Sequence, residues 1–303
     1  MIHDKYVYRS CHMELDSAFT GTTLREYATK VSWRDTMSYA AAIGDNNAHY
    51  FDDERKEGII AHPMNCVAIT WPICGRIWEY IEADNFPHEI IATQVHYTEY
   101  LEFHRPVLPG DELTIRGRIS AILPHRAGTH VNIRFDAMDA KGGPVFTEVM
   151  GAMMRGVSCR NGASGAEEMP VIPEQDTGAP GWESKIYIDP LLPHVYDGCT
   201  DITFPIHTSP KFARQVGLPG IILQGTATLA LAVRELVNRE AAGDPERLKR
   251  LYCRFTGMVM PGTDITVGQT GKRENEKSTD IFFQVMNCDD RKAISNGYAE
   301  IAK

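Results

Sequence analysis

The sequence predicts an α+β protein in which one unit, a buried helix wrapped by an antiparallel sheet, occurs twice. Three observations lead there. First, two segments recur in the same order in both halves of the 303-residue chain. Phe103-His-Arg-Pro-Val-Leu-Pro-Gly110 matches Phe255-Thr-Gly-Met-Val-Met-Pro-Gly262, and Gly58-Ile-Ile-Ala-His-Pro63 matches Gly220-Ile-Ile-Leu-Gln-Gly225. The offset is 152 from Pro109 to Pro261 and 162 from Pro63 to Gly225, a difference that one loop can absorb. Second, each Gly-Ile-Ile segment runs into a long apolar stretch. Third, runs with apolar and polar residues in alternation follow each stretch.

Taken in order, residues 64–80 form the first apolar stretch, in which Pro72 is expected to kink or shorten a helix. Pro109-Gly110 is a turn that launches the strand Glu112-Leu-Thr-Ile-Arg-Gly-Arg-Ile, and His130-Val-Asn-Ile-Arg-Phe-Asp-Ala follows as another. Residues 158–182 are dense in Gly, Pro, Ser and acids without periodicity, the composition of an exposed linker. They divide the chain into an N-terminal unit, 1–156, a linker, 157–183, and a C-terminal unit, 184–303. In the latter, residues 226–237 (TATLALAVRELV) are Ala- and Leu-rich and nearly apolar all round, which predicts a buried helix. Pro261-Gly262 again makes a turn, and Asp280-Ile-Phe-Phe-Gln-Val alternates as a strand. One buried helix per antiparallel sheet, twice in one chain, is the layout of a double hot dog, a fused pseudo-dimer.

Composition narrows the function. Hydrophobic residues are 43% and charged residues 23%, the balance of a soluble globular protein. Lys and Arg total 31 against 40 for Asp and Glu, a net charge of −9 with no basic tract. That argues against nucleic acid or an anionic membrane as partner, while a few local cations suffice for an anionic small molecule. No apolar run approaches the ~20 residues of a membrane span, and Met1-Ile2-His3-Asp4-Lys5 lacks the apolar core of a signal peptide. The seven cysteines are odd in number and scattered, without a Cys-x-x-Cys pair. They fit reduced thiols in a cytoplasm, with neither a metal site nor a redox centre expected.

The chemically informative segment is Tyr196-Asp-Gly-Cys-Thr-Asp-Ile-Thr-Phe-Pro-Ile-His207-Thr-Ser-Pro-Lys-Phe-Ala213, followed by Gly217-Leu-Pro-Gly-Ile-Ile-Leu-Gln-Gly225. It resembles the MaoC-like, (R)-specific enoyl-CoA hydratases, whose motif reads Gly-Asp-x-Asn-Pro-x-His, then Phe-Ala, then Leu-His-Gly opening the hot-dog helix. Pro205, Ile206, His207, Phe212, Ala213 and Gly225 fall on that pattern. Ile43-Gly-Asp-Asn-Asn-Ala-His-Tyr50 and Glu102-Phe-His-Arg-Pro-Val-Leu-Pro-Gly110 carry the resemblance into the first half. It implies an enzyme acting on acyl thioesters, without metal or redox cofactor, whose CoA or pantetheine arrives as part of the substrate.

Hydration of an enoyl thioester needs a proton carrier, a carboxylate that orients water, and a donor to the enolate oxygen. His207 is the expected acid/base. Gly225 opens its helix with a free N–H, whereas its counterpart Pro63 has none, and His207 aligns with Tyr50. The second half is therefore expected to be catalytic and the first to accommodate the acyl chain. One departure stands out: the family's Asp position holds Ile202 and its Asn position Phe204. Asp201, one residue earlier, is the expected carboxylate if the loop slips; Asp45 keeps the Asp position in the first half. Gln224, Thr203, Phe204 and Arg254 are the expected substrate contacts, Arg254 meeting a CoA phosphate. The leading reading is a cytoplasmic, homodimeric enoyl-CoA hydratase or 3-hydroxyacyl-CoA dehydratase. A hot-dog thioesterase driven by Asp201 or Asp45, and a non-catalytic acyl-thioester binder, are the alternatives.

Overall fold

The computed structural model describes residues 13–175 and 180–303. The chain start, Cys11 and residues 176–179 of the expected linker lie outside them. The N-terminal unit comprises β1 (Glu14–Asp16), β2 (Thr23–Lys30), α1 (Trp33–Ala42), α2 (Ala48–Phe51), α3 (Asn65–Cys74), β3 (Gln94–Phe103), β4 (Glu112–His125), β5 (Gly128–Asp139) and β6 (Pro144–Arg155). After β7 (Ser158–Arg160) come β8 (Glu183–Tyr187), α4 (Leu192–Thr200), α5 (Pro210–Gln215), α6 (Gly225–Glu240), β9 (Leu248–Phe255), β10 (Asp264–Glu274), β11 (Ser278–Met286) and β12 (Lys292–Ala302).

Ten strands form one antiparallel sheet in the order β2-β4-β5-β6-β3-β9-β12-β11-β10-β8. Read outward from its centre, the order is the same on both sides. The units join at β3 and β9, where Tyr100 lies opposite Tyr252, 152 residues later. That is the offset of the Pro-Gly repeat, and a residue meets its own counterpart only on a two-fold axis. Tyr39 and Tyr196 mark the same axis on the helical side. Their hydroxyls lie 2.7 Å apart and their rings meet edge to face.

Each unit wraps its strands around its apolar helix. In α6, Ala227, Leu229, Ala230, Ala232, Val233, Leu236 and Val237 are all buried, as the small and branched residues of this stretch require. Pro72 lies inside α3, where it withholds one i→i−4 bond, and the helix ends two residues later. α6 runs for 16 residues and α3 for 10. One core spans both units, with Leu101, Ile115, Phe135, Leu229, Val233 and Phe283 among its members. Full burial of each such side chain contributes about 1.5–3 kcal/mol.

The described part of the linker up to Gln175 is tied down rather than free. β7 pairs in parallel with β1, Ser164 bridges Ile122, and Arg118 pairs with Glu168 at 2.5 Å. Gln175 then donates to Thr270 Oγ1 of the second unit at 2.8 Å.

Candidate active site

Three segments of the C-terminal unit converge at the start of α6. The first leaves α4 through Asp201, whose left-handed backbone (φ 56°) ends the helix with its N–H on Asp197 O. It continues into a short 3-10 turn, Pro205–His207, and Ser209 caps α5 by accepting from the Phe212 N–H at 3.2 Å. The second is the 222–225 segment. His207 Nδ1 pairs with Ile222 O at 2.8 Å, and the Ile222 N–H donates back to Ile206 O. The third is the turn after β9, held to the second by the Leu223 N–H donating to Val259 O at 2.9 Å.

Gln224 is extended (φ −57°, ψ 136°) and Gly225 is the first helical residue. A helix's first N–H groups have no intrahelical acceptor and sit at the positive end of its dipole. A Cβ on Gly225 would lie 3.2 Å from the Phe255 ring, so glycine lets that ring rest against the helix start. A carbonyl can only accept, so His207 holds its proton on Nδ1 and its Nε2 lone pair is free in the neutral ring. Burial lowers the His207 pKa below its usual value, against a smaller opposing effect of the Ile222 carbonyl. The imidazole is accordingly a neutral base near pH 7.

The N-terminal unit repeats this hydrogen-bond pattern. The Ile60 N–H donates to His49 O at 2.9 Å and the Ala61 N–H to Val107 O at 2.8 Å. Position by position, Asp45 corresponds to Ile202, Tyr50 to His207, His62 to Gln224 and Pro63 to Gly225. Pro63 has no N–H to offer. The Tyr50 hydroxyl is pushed well above its ordinary pKa by burial. Asp45 and His62 are 2% and 1% exposed. His62 Nδ1 accepts from the Met64 N–H, which leaves Nε2–H facing Asp45 Oδ2 at 3.8 Å. Burial drives the His62 pKa down to about 3. The cavity here, lined by His62, Pro63, Phe103 and Leu248 among others, holds only about 30 Å³.

The expected slip of the 201–204 loop is absent. Ile202 takes the buried place that Asp45 takes in the first unit and is 3% exposed, while Asp201 is exposed and makes no hydrogen bond to His207. The physical reason is twofold: an aliphatic side chain is stabilised by burial, and Asp tolerates the left-handed conformation that ends α4. Among the described residues no carboxylate comes within 4.0 Å of His207. Thr203 is exposed; Phe204 is also exposed and packs edge-on against Phe212. Arg254 is not brought to the site. It alternates with Phe255 along β9, so it lies on the other face of the sheet, over the Tyr97 ring at 5.1 Å. Gln224 is at the site, 1% exposed, its Nε2 donating to Pro193 O at 3.0 Å.

Two residues at the site escaped the sequence reading. Phe255 covers the start of α6, and His96 from β3 of the other unit packs against it with the rings tilted, centroids 4.6 Å apart. His96 Nε2 is 2.9 Å from Oε2 of the fully buried Glu99. Burial lowers the His96 pKa to about 4 and raises that of Glu99 well above the usual carboxylate range. The 152-residue offset was the available signal, since it equates His96 with Leu248 of the first-unit cavity. Among the described residues no cluster of three or more His, Cys, Asp or Glu has metal-ligand geometry, and no helix is long and apolar enough to cross a membrane.

Comparison with known proteins agrees with this geometry. Residues 195–288 match the MaoC like domain, and residues 18–148 match the FAS1-like dehydratase domain region. A fatty acid synthase β subunit of Emericella nidulans is 34% identical over 134 residues, which are 43% of this chain but 7% of that much longer protein. A probable enoyl-CoA hydratase 2 of Dictyostelium discoideum is 28% identical over 273 residues, 88% of this chain and 90% of its own. The crystal structure of a MaoC-like dehydratase from Phytophthora capsici superposes with a TM-score of 0.79 at 22% identity, covering 94% of this chain and 97% of that one. In its two-unit hot-dog fold, and over residues 195–288 in sequence, this chain is similar to the MaoC-like dehydratases.

Proposed function

We propose that the protein is a hydro-lyase that reversibly adds water to a trans-2-enoyl thioester, giving the (R)-3-hydroxyacyl thioester. The observation that carries this is the pairing of a neutral His207, Nε2 free, with the unblocked helix start at Gly225, both tied through Ile222. The names of two relatives that span most of this chain, a probable enoyl-CoA hydratase 2 and a 3-hydroxyacyl-thioester dehydratase, point the same way.

In the forward direction His207 Nε2 takes a proton from water as the water oxygen bonds to C3. The double-bond electrons shift toward the thioester oxygen, which accepts a hydrogen bond from Gly225 N–H. The enolate then takes the proton from His207 at C2, and the imidazole is neutral again. No cofactor enters beyond the CoA or pantetheine of the substrate. The N-terminal unit, whose α3 begins only at Asn65 and whose Pro63 has no N–H at the position of Gly225, accommodates the acyl chain. A homodimer in the cytoplasm completes this reading. Asp201 is turned outward and Asp45 is sealed in the other unit, so the carboxylate-driven thioesterase has less support.

The test is a panel of enoyl-CoA thioesters followed in two channels, loss of conjugated enoyl absorbance and release of free thiol. Absorbance loss without thiol, abolished by His207→Ala, is expected. Thiol release that survives the substitution would replace the hydratase by a thioesterase, and binding without turnover would make the protein a carrier.

A further inference from the structure

We propose that the side-chain amide oxygen of Gln224 positions the attacking water beside His207, in the role a carboxylate would fill at position 202. The inference rests on the hydratase reading above and deepens it.

The loop leaves a gap in the chemistry. Water approaching C3 must be held by a second acceptor besides His207, yet Ile202 is apolar and Asp201 faces outward. The internal repeat shows where a replacement can come from. In the first unit His62, the counterpart of Gln224, approaches both neighbouring positions. Its Nε2 is 3.8 Å from Asp45 Oδ2, and its ring centroid is 5.3 Å from that of Tyr50. The backbone hydrogen bonds that set this geometry recur in the second unit, so position 224 stands in the same backbone relation to positions 202 and 207.

The amide itself carries the second half of the argument. Gln224 Nε2 sits 3.0 Å from Pro193 O, and since a carbonyl only accepts, the NH2 group must face it. The amide orientation is thereby settled and Oε1 turns the other way. That oxygen is buried and has no hydrogen-bond partner among the described residues. An acceptor so placed costs about 1–3 kcal/mol if left unpaired, which a bound O–H donor relieves. A water that donates one proton to Oε1 and the other to His207 Nε2 directs a lone pair away from both, towards C3. Gln224 exchanges no proton: the one lost by water goes to His207 and then to C2.

An amide, unlike a carboxylate, does not stabilise the imidazolium. Three variants exploit this. Gln224→Met removes the acceptor at similar volume and is expected to lower kcat ~10- to 100-fold with little change in KM. Gln224→Glu places a charge near His207 and is expected to move the acid limb of kcat/KM up by about one pH unit or more. Ile202→Asp in the Gln224→Met background is expected to recover at least tenfold in kcat. Thermal melts and binding of a saturated acyl-CoA report whether each variant is folded. If Gln224→Met does not fold, Gln224→Asn decides, because it keeps the amide and withdraws its oxygen by one methylene; a loss of at least tenfold in kcat with binding intact is expected. Wild-type kcat in a folded Met or Asn variant, or an unmoved acid limb in Gln224→Glu, overturns the inference while leaving the hydratase in place. A wild-type protein that hydrates none of the panel removes the hydratase reading, and this inference with it.

Discussion

Gly225→Pro tests the proposed oxyanion donor by copying into the second unit what the first already carries at Pro63. The backbone is prepared for it. Proline is favoured at the first position of a helix. The residue before it must be extended, and Gln224 has φ −57° and ψ 136°. Replacing glycine also reduces the freedom of the unfolded chain, which stabilises by about 0.4–1 kcal/mol at a compatible site. Against this, the added Cβ meets Phe255 at 3.2 and 3.3 Å, so the ring must yield by a few tenths of an ångström. Folding is expected to change little. Catalysis is expected to change greatly: loss of one oxyanion donor costs about 2.7–4 kcal/mol of transition-state stabilisation, or ~10²–10³ in kcat. Gly225→Ala supplies the control, since it introduces the same Cβ but keeps the N–H. Initial rates of enoyl absorbance loss, with melting temperatures for all three proteins, make the comparison. Equal kcat in the Pro and Ala variants, both folded, would refute the assignment of the donor.

Other expectations follow from the same structure. Burial holds the His207 pKa below its ordinary value, so the acid limb of kcat/KM, where the base becomes protonated, should have its midpoint below pH 6.5; a pH–rate profile reads this directly. His62, pushed to about 3 in the folded protein, binds a proton on unfolding at any pH between that value and 6.5. Its contribution to stability is therefore present in full above pH 6.5 and is lost as pH falls, by about 1.4 kcal/mol per unit. Buried Glu99 and Glu148, whose pKa values are raised, act in the opposite sense as pH rises above the usual carboxylate value. The His62 effect is best read as the difference between wild type and His62→Gln in urea titrations at pH 7 and pH 5. Finally, Tyr39→Phe and Tyr196→Phe should each cost about 1–3 kcal/mol by orphaning a buried hydroxyl on the axis, and the double variant less than their sum. Additive losses would mean that the hydroxyls are not coupled.

Much of this protein was legible in its residues because it is written twice. The Pro-Gly and Gly-Ile-Ile repeats determined the two-unit plan, and the Pro-Gly offset of 152 predicts which residues face each other across β3 and β9. The apolar run of α6 and the alternation of β4, β5 and β11 follow from burial on one face or all round. Pro63 against Gly225 and Tyr50 against His207 separated the two helix starts by chemistry visible in the letters alone. What the sequence could not decide was direction and partnership. Whether Asp201 or Ile202 turns inward depends on which residue takes the left-handed conformation at the end of α4, and core packing decided for Ile202. The face of Arg254 depended on the strand's register, and the arrival of His96 beside Phe255 on the pairing of two units far apart in the chain. Local patterns set which elements form, since they act within a few residues. The site is assembled by contacts between elements, and only the tertiary structure supplies those.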